Sequence, residues 1–524
     1  MKSYKERTKA VIEKIERHGN KDGYTVDNGK STLAVKRRNK IIIWTAFAAV
    51  CLAILVSFNL ILFLPYPVAP EISAYKDSEY YKLISVVNGI ARKNPYKNNF
   101  DKWTSQLGYG NKGDAIAPGD INTGITAPGI DSPADDATND GNGDYVENTN
   151  NQVKAVTEAD LLKRSTDYAF YLSTGDGIEL LIYKLNGKDT SLTSSYEIKS
   201  EKKTFFYSDT CEAYLSADCK TITVICGLYD TKEKQTYTCI VNLDVSNVND
   251  VKESGRIYVS GSYISSRLVK GKLLLFTNYA VKYNPDFSKE KDFVPQTGTL
   301  NNLKSLPMED IVYSENATSA RYTVVCSLEQ SSLEINSNYA FLSFSQEAYV
   351  SESNIYLTRA YYGDYSPELY YDAMTDITCV SYADGKLDLV NTATVPGTVL
   401  NQYSMDEYDG VLRVVTEYYV RENYEEYRDY SGASLFCIDL ESFEICADYK
   451  EFCPDREKVY SVRFDGNTAY VCTALVKFNW ATDPVYAIDL SDLDNITSKD
   501  TGTISGYSLS LTKFKDGTLL GIGY

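Results

Sequence analysis

Asp406 and Glu407 invite attention first, because a pair of carboxylates is what acid–base cleavage of a glycosidic bond needs. Side chains alternate across a strand, so neighbours in sequence point to opposite faces and do not flank one bond. No serine stands in a nucleophile-elbow pattern. The single histidine, His18, lies in a basic N-terminal stretch, leaving the rest of the chain without imidazole for a triad or a zinc site. Eleven cysteines include no CxxC pair, which removes support for metal ribbons and thioredoxin-like chemistry. Several stand in β-type runs such as TVIC226, YTVVC326 and AYVC472, where a thiol packs as a small apolar group. Most are expected to be buried and reduced, with Cys446 and Cys453 the first to differ. Asp136, Asp140, Asp144 and Glu147, with Gly141, have the spacing of a calcium loop. Thr138 and Gly143 break that pattern, and Asp/Gly/Asn-rich sequence produces it by chance, so a solvated linker is the stronger reading. No catalytic residue, metal or cofactor is nominated, and the chain reads as one that binds rather than reacts.

The charge is unevenly placed. The net value is −18 over 524 residues, yet residues 1–40 hold 12 Lys/Arg against 5 Asp/Glu, so the remainder carries −25. Such a body repels phosphate backbones, which excludes nucleic acid as a partner. Ile41–Leu64 follows with no charged residue, and as a helix it would be roughly 36 Å long, enough to cross a bilayer core. It is too long, and too far from the N-terminus, for a cleaved signal peptide. The basic flank places residues 1–40 in the cytoplasm and 65–524 outside, in a single-pass, signal-anchored membrane protein.

Beyond the span, Tyr80, Leu83, Ile84, Val87 and Ile90 recur at helical spacing within 71–92, so the juxtamembrane segment 65–107 should hold a short amphipathic helix. Residues 108–151 are rich in Gly, Asp, Asn and Ala, and bury too little to offset their ordering entropy; they read as a flexible tether. From 152 to 524 one unit recurs: an apolar strand, a short Gly/Asp/Asn turn and a β-rich strand. Its markers are Asp218, Gly271, Asn354, Gly410, Gly466 and Gly517, spaced 53, 83, 56, 56 and 51 residues apart. Between them an apolar strand running into Asp recurs, as in FCIDLESFEI (436–445) and YAIDLSDLDNI (486–496). Together these give four strands per repeat, hence an all-β propeller of about seven blades, with six to eight allowed and the last one open to being incomplete.

Five stretches carry a family resemblance: NTNNQVKAVTEADLLK (148–163), GSYISSRL (261–268), VPGTVLNQYSMDEYDGVLRVVT (395–416), VYSVRFDGNTAYVCT (459–473) and DPVYAIDLSDLDNITSKDTGTISGYSLSL (483–511). In these the chain resembles bacterial secreted or membrane-anchored proteins with a C-terminal β-propeller domain, distantly like WD-repeat propellers. The resemblance covers about 148–524. It implies the fold and an extracytoplasmic location, and supplies no activity or catalytic residue.

Within such a ring, Arg267, Arg413 and Arg463 take similar places in three copies. They either bind an anion or, the preferred reading, bridge neighbouring blades through acids such as Asp406 and Glu407. Tyrosine is abundant, 45 against 18 Phe. It clusters after the second strand of consecutive repeats, in the connections 279–319, 359–372, 417–432 and 475–483. Tyr283, Tyr361, Tyr362, Tyr365, Tyr418, Tyr419, Tyr424, Tyr427 and Trp480 are therefore the expected ligand-binding face, since rigid amphipathic rings suit interaction surfaces. The function this supports is a cell-surface binding module for a peptide or glycan. The alternatives are a hydrolase acting on wall or glycan, and a sensor whose residues 1–40 hold a cytoplasmic partner.

Overall fold

In a computed structural model, the residues described are 72–93 and, with short gaps, 145–523. The basic segment, the apolar run 41–64, the acidic residues 136, 140, 144 and 147, and nearly all of the linker 108–151 lie outside them. Among the described residues no helix is long and apolar enough to cross a membrane.

The described body is β-rich, and its strands form seven sheets in chain order. The hairpin units of the sequence supply the first two strands of six of them. Ser262–Val269 turns into Lys272–Ala280 in the third sheet, Ala348–Val350 into Asn354–Tyr362 in the fourth, Met405–Tyr408 into Val411–Glu422 in the fifth and Lys458–Asp465 into Thr468–Lys477 in the sixth. Thr204–Leu215 and Thr221–Asp230 do the same in the second, and Ser508–Lys515 with Thr518–Gly523 make up the seventh. The turns are tight for a stated reason. Lys270 and Gly271 have φ of 48° and 79°, and Asp409 and Gly410 have 50° and 79°, the pair of positive values a two-residue hairpin turn requires.

Third and fourth strands complete the sheets antiparallel: Ala373–Ser381 and Asp388–Pro396 in the fourth, Arg428–Asp439 and Ile445–Tyr449 in the fifth, Trp480–Asp489 and Thr497–Ser505 in the sixth. Each core is shared by two successive sheets. Leu180 and Ile182 of the first pack with Val224 and Val241 of the second. Leu274 and Phe276 of the third pack with Ile355 and Leu357 of the fourth. Val395 of the fourth meets Leu412 and Phe436 of the fifth, and Leu435 of the fifth meets Val471 and Ile488 of the sixth. Strands buried on both faces need apolar residues at every position, which is why runs such as Leu273–Phe276 do not alternate with polar ones.

The long repeat interval is not a loop. Residues 281–320 fold into a hairpin, Gln296–Thr299 with Asn302–Ser305, that extends the second sheet, and a short strand, Ile311–Tyr313, parallel to Ile335–Leu342 of the third. Helix α1, Tyr81–Lys93, packs on this insertion, with Leu83, Ile84 and Val87 buried. The helix starts where the periodic residues do, and the segment before it is not part of it. Ile72–Tyr75 is a 3-10 turn, and Ser78 caps the next one by accepting from the Tyr80 and Tyr81 N–H groups.

Ten cysteines are described and all are free thiols. Cys446 is exposed, but Cys453 is buried and its Sγ accepts from the Ala433 N–H at 3.1 Å, so it packs like the others.

Candidate functional site

Residues 151–165 show where the sheets converge. Leu162–Ser165 is a strand of the first sheet, and Asp160 bridges Ala213 of the second. Thr157 and Glu158 pair with Leu268 and Arg267 of the third. Gln152 donates from Nε2 to the carbonyls of Gln402 and Met405, at the start of the fifth, at 3.1 Å each. One short segment can meet four sheets only if their first strands come together, as at the hub of a propeller.

The hub is polar and internally paired. Arg267, 7% exposed, donates to Gln402 Oε1 at 2.5 Å and stands 3.5 Å from Glu158. Lys163, 1% exposed, donates to the Glu158 carbonyl at 2.8 Å. Tyr214 Oη and Tyr263 Oη both meet Ser266 Oγ, and Tyr263 donates to Glu212 at 2.5 Å. These charges were taken from water, and each has a partner in place of it.

Asp406 and Glu407 diverge, one to each side of their strand. Asp406 pairs with Arg413, whose Nη1 donates to the Gly466 carbonyl of the sixth sheet at 2.7 Å and whose guanidinium lies over Tyr408 and Phe464. Glu407 accepts from Ser351 at 2.6 Å, Asn354 at 3.0 Å and Tyr356 at 2.6 Å, all in the fourth sheet. Adjacent residues of one strand thus join its sheet to both neighbours. Burial pushes the Asp406 carboxyl up, against the pull of Arg413 and Arg463. Arg413 stands on a second strand, unlike Arg267 and Arg463 on first strands, so the three do not share one position.

The opposite ends of the hairpins, where second strands finish, differ from the tight turns. In the fifth sheet the first strand starts at Met405, opposite Val414, and Thr398–Val399 carries that edge on to Glu417, while the second and third strands stay paired out to Glu422 and Arg428. The sixth behaves likewise, Lys458 facing Ala474 while pairing runs on to Lys477 and Trp480. In the fourth, pairing beyond Ala348–Leu357 continues to Tyr362 and Ala373. In three successive sheets the second and third strands therefore outrun the first, and in the fifth they project beyond the fourth strand as well, as a two-stranded tongue.

Of the aromatic residues expected there, Tyr361 is 38% exposed, with the Arg359 guanidinium 5.4 Å from its ring and held by Asp376. Tyr418 is buried instead, lying so close over Gly432 that a Cβ there would meet its Oη at 2.6 Å. The side chains of Tyr362, Tyr419 and Trp480, and the residues Tyr283, Tyr365, Tyr424 and Tyr427, lie outside the described positions. In the connection 279–319, Tyr279, Phe287 and Phe293 are buried and Tyr313 is half-buried. The second sheet adds an unforeseen cluster at the end of its second strand, Phe205 with Tyr207 and Tyr229 at ring distances of 5.7 and 5.3 Å.

A buried acid, Glu457, and a half-buried one, Glu417, stand at the same strand ends. Glu457 accepts from Thr473 Oγ1, and Glu417 accepts from the Val459 N–H at 3.3 Å. Glu212, inside the first strand of the second sheet, and Glu347, just before that of the fourth, begin the related stretches EAYLS and EAYVS, a repeat that is visible in the sequence, and both are half-buried. Burial pushes the Glu347 carboxyl up to about 7. An acid whose folded pKa stands above its unfolded value near 4.5 contributes fully below about pH 4.5, and that contribution is lost as pH rises through about 7. Glu347→Gln should flatten the fall in melting temperature between pH 5 and 8, and be the more stable form at pH 8 by on the order of 1–3 kcal/mol. Parallel pH profiles of the two proteins would remove the assignment.

Comparisons with known proteins agree with this geometry. The chain matches the family described as "Beta propeller domain" over residues 146–524. It is 33% identical over 138 residues to an uncharacterised protein of Archaeoglobus fulgidus, covering 26% of this chain and 20% of that one. It is 24% identical over 283 residues to an uncharacterised protein of Methanocaldococcus jannaschii, covering 53% and 41%. The chain thus spans a fifth to two fifths of the length of these relatives. They are archaeal, where the resemblance pointed to bacteria. Among solved structures, the Dos1 propeller gives a TM-score of 0.32 at 10% identity, covering 66% of this chain and 70% of that one. An acylaminoacyl peptidase of Pyrococcus horikoshii gives 0.29 at 10%, covering 68% and 47%. Scores this low carry no argument, and the assignment rests on the sequence match and the sheets. By its residues 146–524 the chain belongs to the β-propeller domain family.

Proposed function

We propose that this protein is a single-pass, membrane-anchored propeller of about seven blades whose extracytoplasmic body binds a peptide or glycan at the cell surface. The generic part, a propeller as a binding module, follows from the family; anchor, blade number and ligand are the proposal. One observation carries the choice of face. The second and third strands of the fourth, fifth and sixth sheets outrun their first strands at one end, while the turns that join first to second strands at the other end stay at two or three residues. Hub stability needs no such extension, whereas a binding surface does. Tyr361, half-exposed and backed by Arg359 and Asp376, is the described residue best placed to stack on a sugar ring or peptide plane. The tyrosines and Trp480 of the neighbouring connections extend the face by sequence.

The acids considered for hydrolysis, Asp406 and Glu407, are engaged with neighbouring sheets, which favours binding over turnover. Screening residues 69–524 against glycan and peptide arrays, and then for product formation, tests the reading. Retained ligand without turnover is expected. Multiple turnovers would replace the binding module with the hydrolase alternative.

A further inference from the structure

The insertion 281–320 forms an apolar socket, and the chain fills it with its own residues 72–93. Tyr80, Leu83, Ile84 and Val87 stand at i, i+3, i+4 and i+7, one stripe of the helix, and all are at most 3% exposed. Tyr80 seats the helix by donating from Oη to the Leu306 carbonyl at 2.8 Å and by meeting Phe293 edge-on at 5.9 Å. Tyr75 meets Phe287 in the same way, and Phe287 meets Phe293 at 5.4 Å. Lys82, on the far side, is exposed.

The position of this helix in the chain gives its docking a meaning. Lys93 ends a helix docked on the propeller, and Tyr145–Val146 pairs with Leu162–Ser165 of its first sheet. Residues 94–144 therefore leave and return to the same body. Only residues 65–71 separate the apolar run ending at Leu64 from Ile72, a reach of at most about 25 Å.

We propose that helix α1 is a non-covalent latch: the socket of the insertion binds the amphipathic segment 72–93, so 94–144 is a closed loop and not the tether that sets the reach of the propeller. The reach from a membrane rests on the anchor proposed above; the latch itself does not, and its test is independent of any membrane.

A protease site inserted between 120 and 130 of the full chain, carrying an N-terminal affinity tag in detergent, reads it directly. After cleavage the 130–524 fragment should stay on the resin with the tagged fragment, although no covalent bond joins them. Leu83→Asp with Ile84→Asp should send it to the flow-through, while Lys82→Asp should not. Excess synthetic peptide 72–93 should elute it from the unmodified protein, which keeps the test valid if the double variant folds poorly. Immediate loss of the cleaved wild-type fragment would overturn the latch. So would retention that neither the double substitution nor the peptide disturbs, because the fragments would then be held elsewhere.

Discussion

Arg413→Ala is expected to destabilise the body by about 3–5 kcal/mol, among the largest effects of any single substitution outside the cores. Arg413 is 3% exposed, and its removal leaves the Asp406 carboxylate without its cation and the Gly466 carbonyl without its donor. It also removes the plane that lies between the Tyr408 and Phe464 rings. The cause is separable by a second change. If the uncompensated carboxylate dominates, Arg413→Met with Asp406→Leu together should recover most of the loss, since both charges leave a buried site at once. If packing dominates, the pair should be no better than Arg413→Met alone. Urea unfolding of the three variants, followed by far-UV circular dichroism, gives the comparison. A loss under about 1 kcal/mol for Arg413→Ala would show that the fifth and sixth sheets do not depend on this arginine.

Removing residues 69–144, and helix α1 with them, is expected to have an effect of similar or greater size, and by a different route. Tyr80, Leu83, Ile84 and Val87 are buried against Phe293, Leu306, Ile311 and Tyr322. At about 1.5–3 kcal/mol per fully buried side chain, the helix contributes roughly 6–12 kcal/mol as an upper bound, before the entropy of ordering it. The body 145–524 should therefore self-associate through the uncovered socket and melt below 69–524, whereas 69–524 should be monodisperse by light scattering. A monodisperse 145–524 with an unchanged melting temperature would mean that the helix covers nothing that needs covering.

The repeat is legible in the sequence because its signal is local. Gly271, Gly410 and Gly466 each mark a turn that positive φ demands, and the flanking residues alternate or run apolar as strands buried on one or both faces must. The divergence of the neighbouring acids is legible too, since strand geometry separates Asp406 from Glu407 without further information. What is not legible depends on meetings between distant residues. Phe287 and Phe293 look like loop aromatics until a helix from much earlier in the chain covers them. Tyr418 belongs to an aromatic cluster in sequence, but its cross-strand partner is Gly432, whose missing side chain lets the ring lie flat and become buried. Residues 151–165 carry no strand or helix periodicity, although 148–163 bears the family resemblance, because a segment that meets four sheets takes its conformation from them. The half-buried acids Glu212 and Glu347 leave a trace in the repeated Glu-Ala-Tyr, but their environment is not a property of the triplet itself.

The central claim, that the projecting strand ends form a ligand-binding face, is tested most directly by replacing Tyr361, Tyr365, Tyr424 and Trp480 with Ala together in residues 69–524. The affinity for a ligand recovered from the arrays is then measured by calorimetry, alongside a melting curve. At about 0.5–1.5 kcal/mol for each aromatic stacking interaction removed, beyond its buried area, binding should weaken at least tenfold while the melting temperature stays within a few degrees. Unchanged affinity in a variant that remains folded would contradict the account and move the site to another part of the propeller.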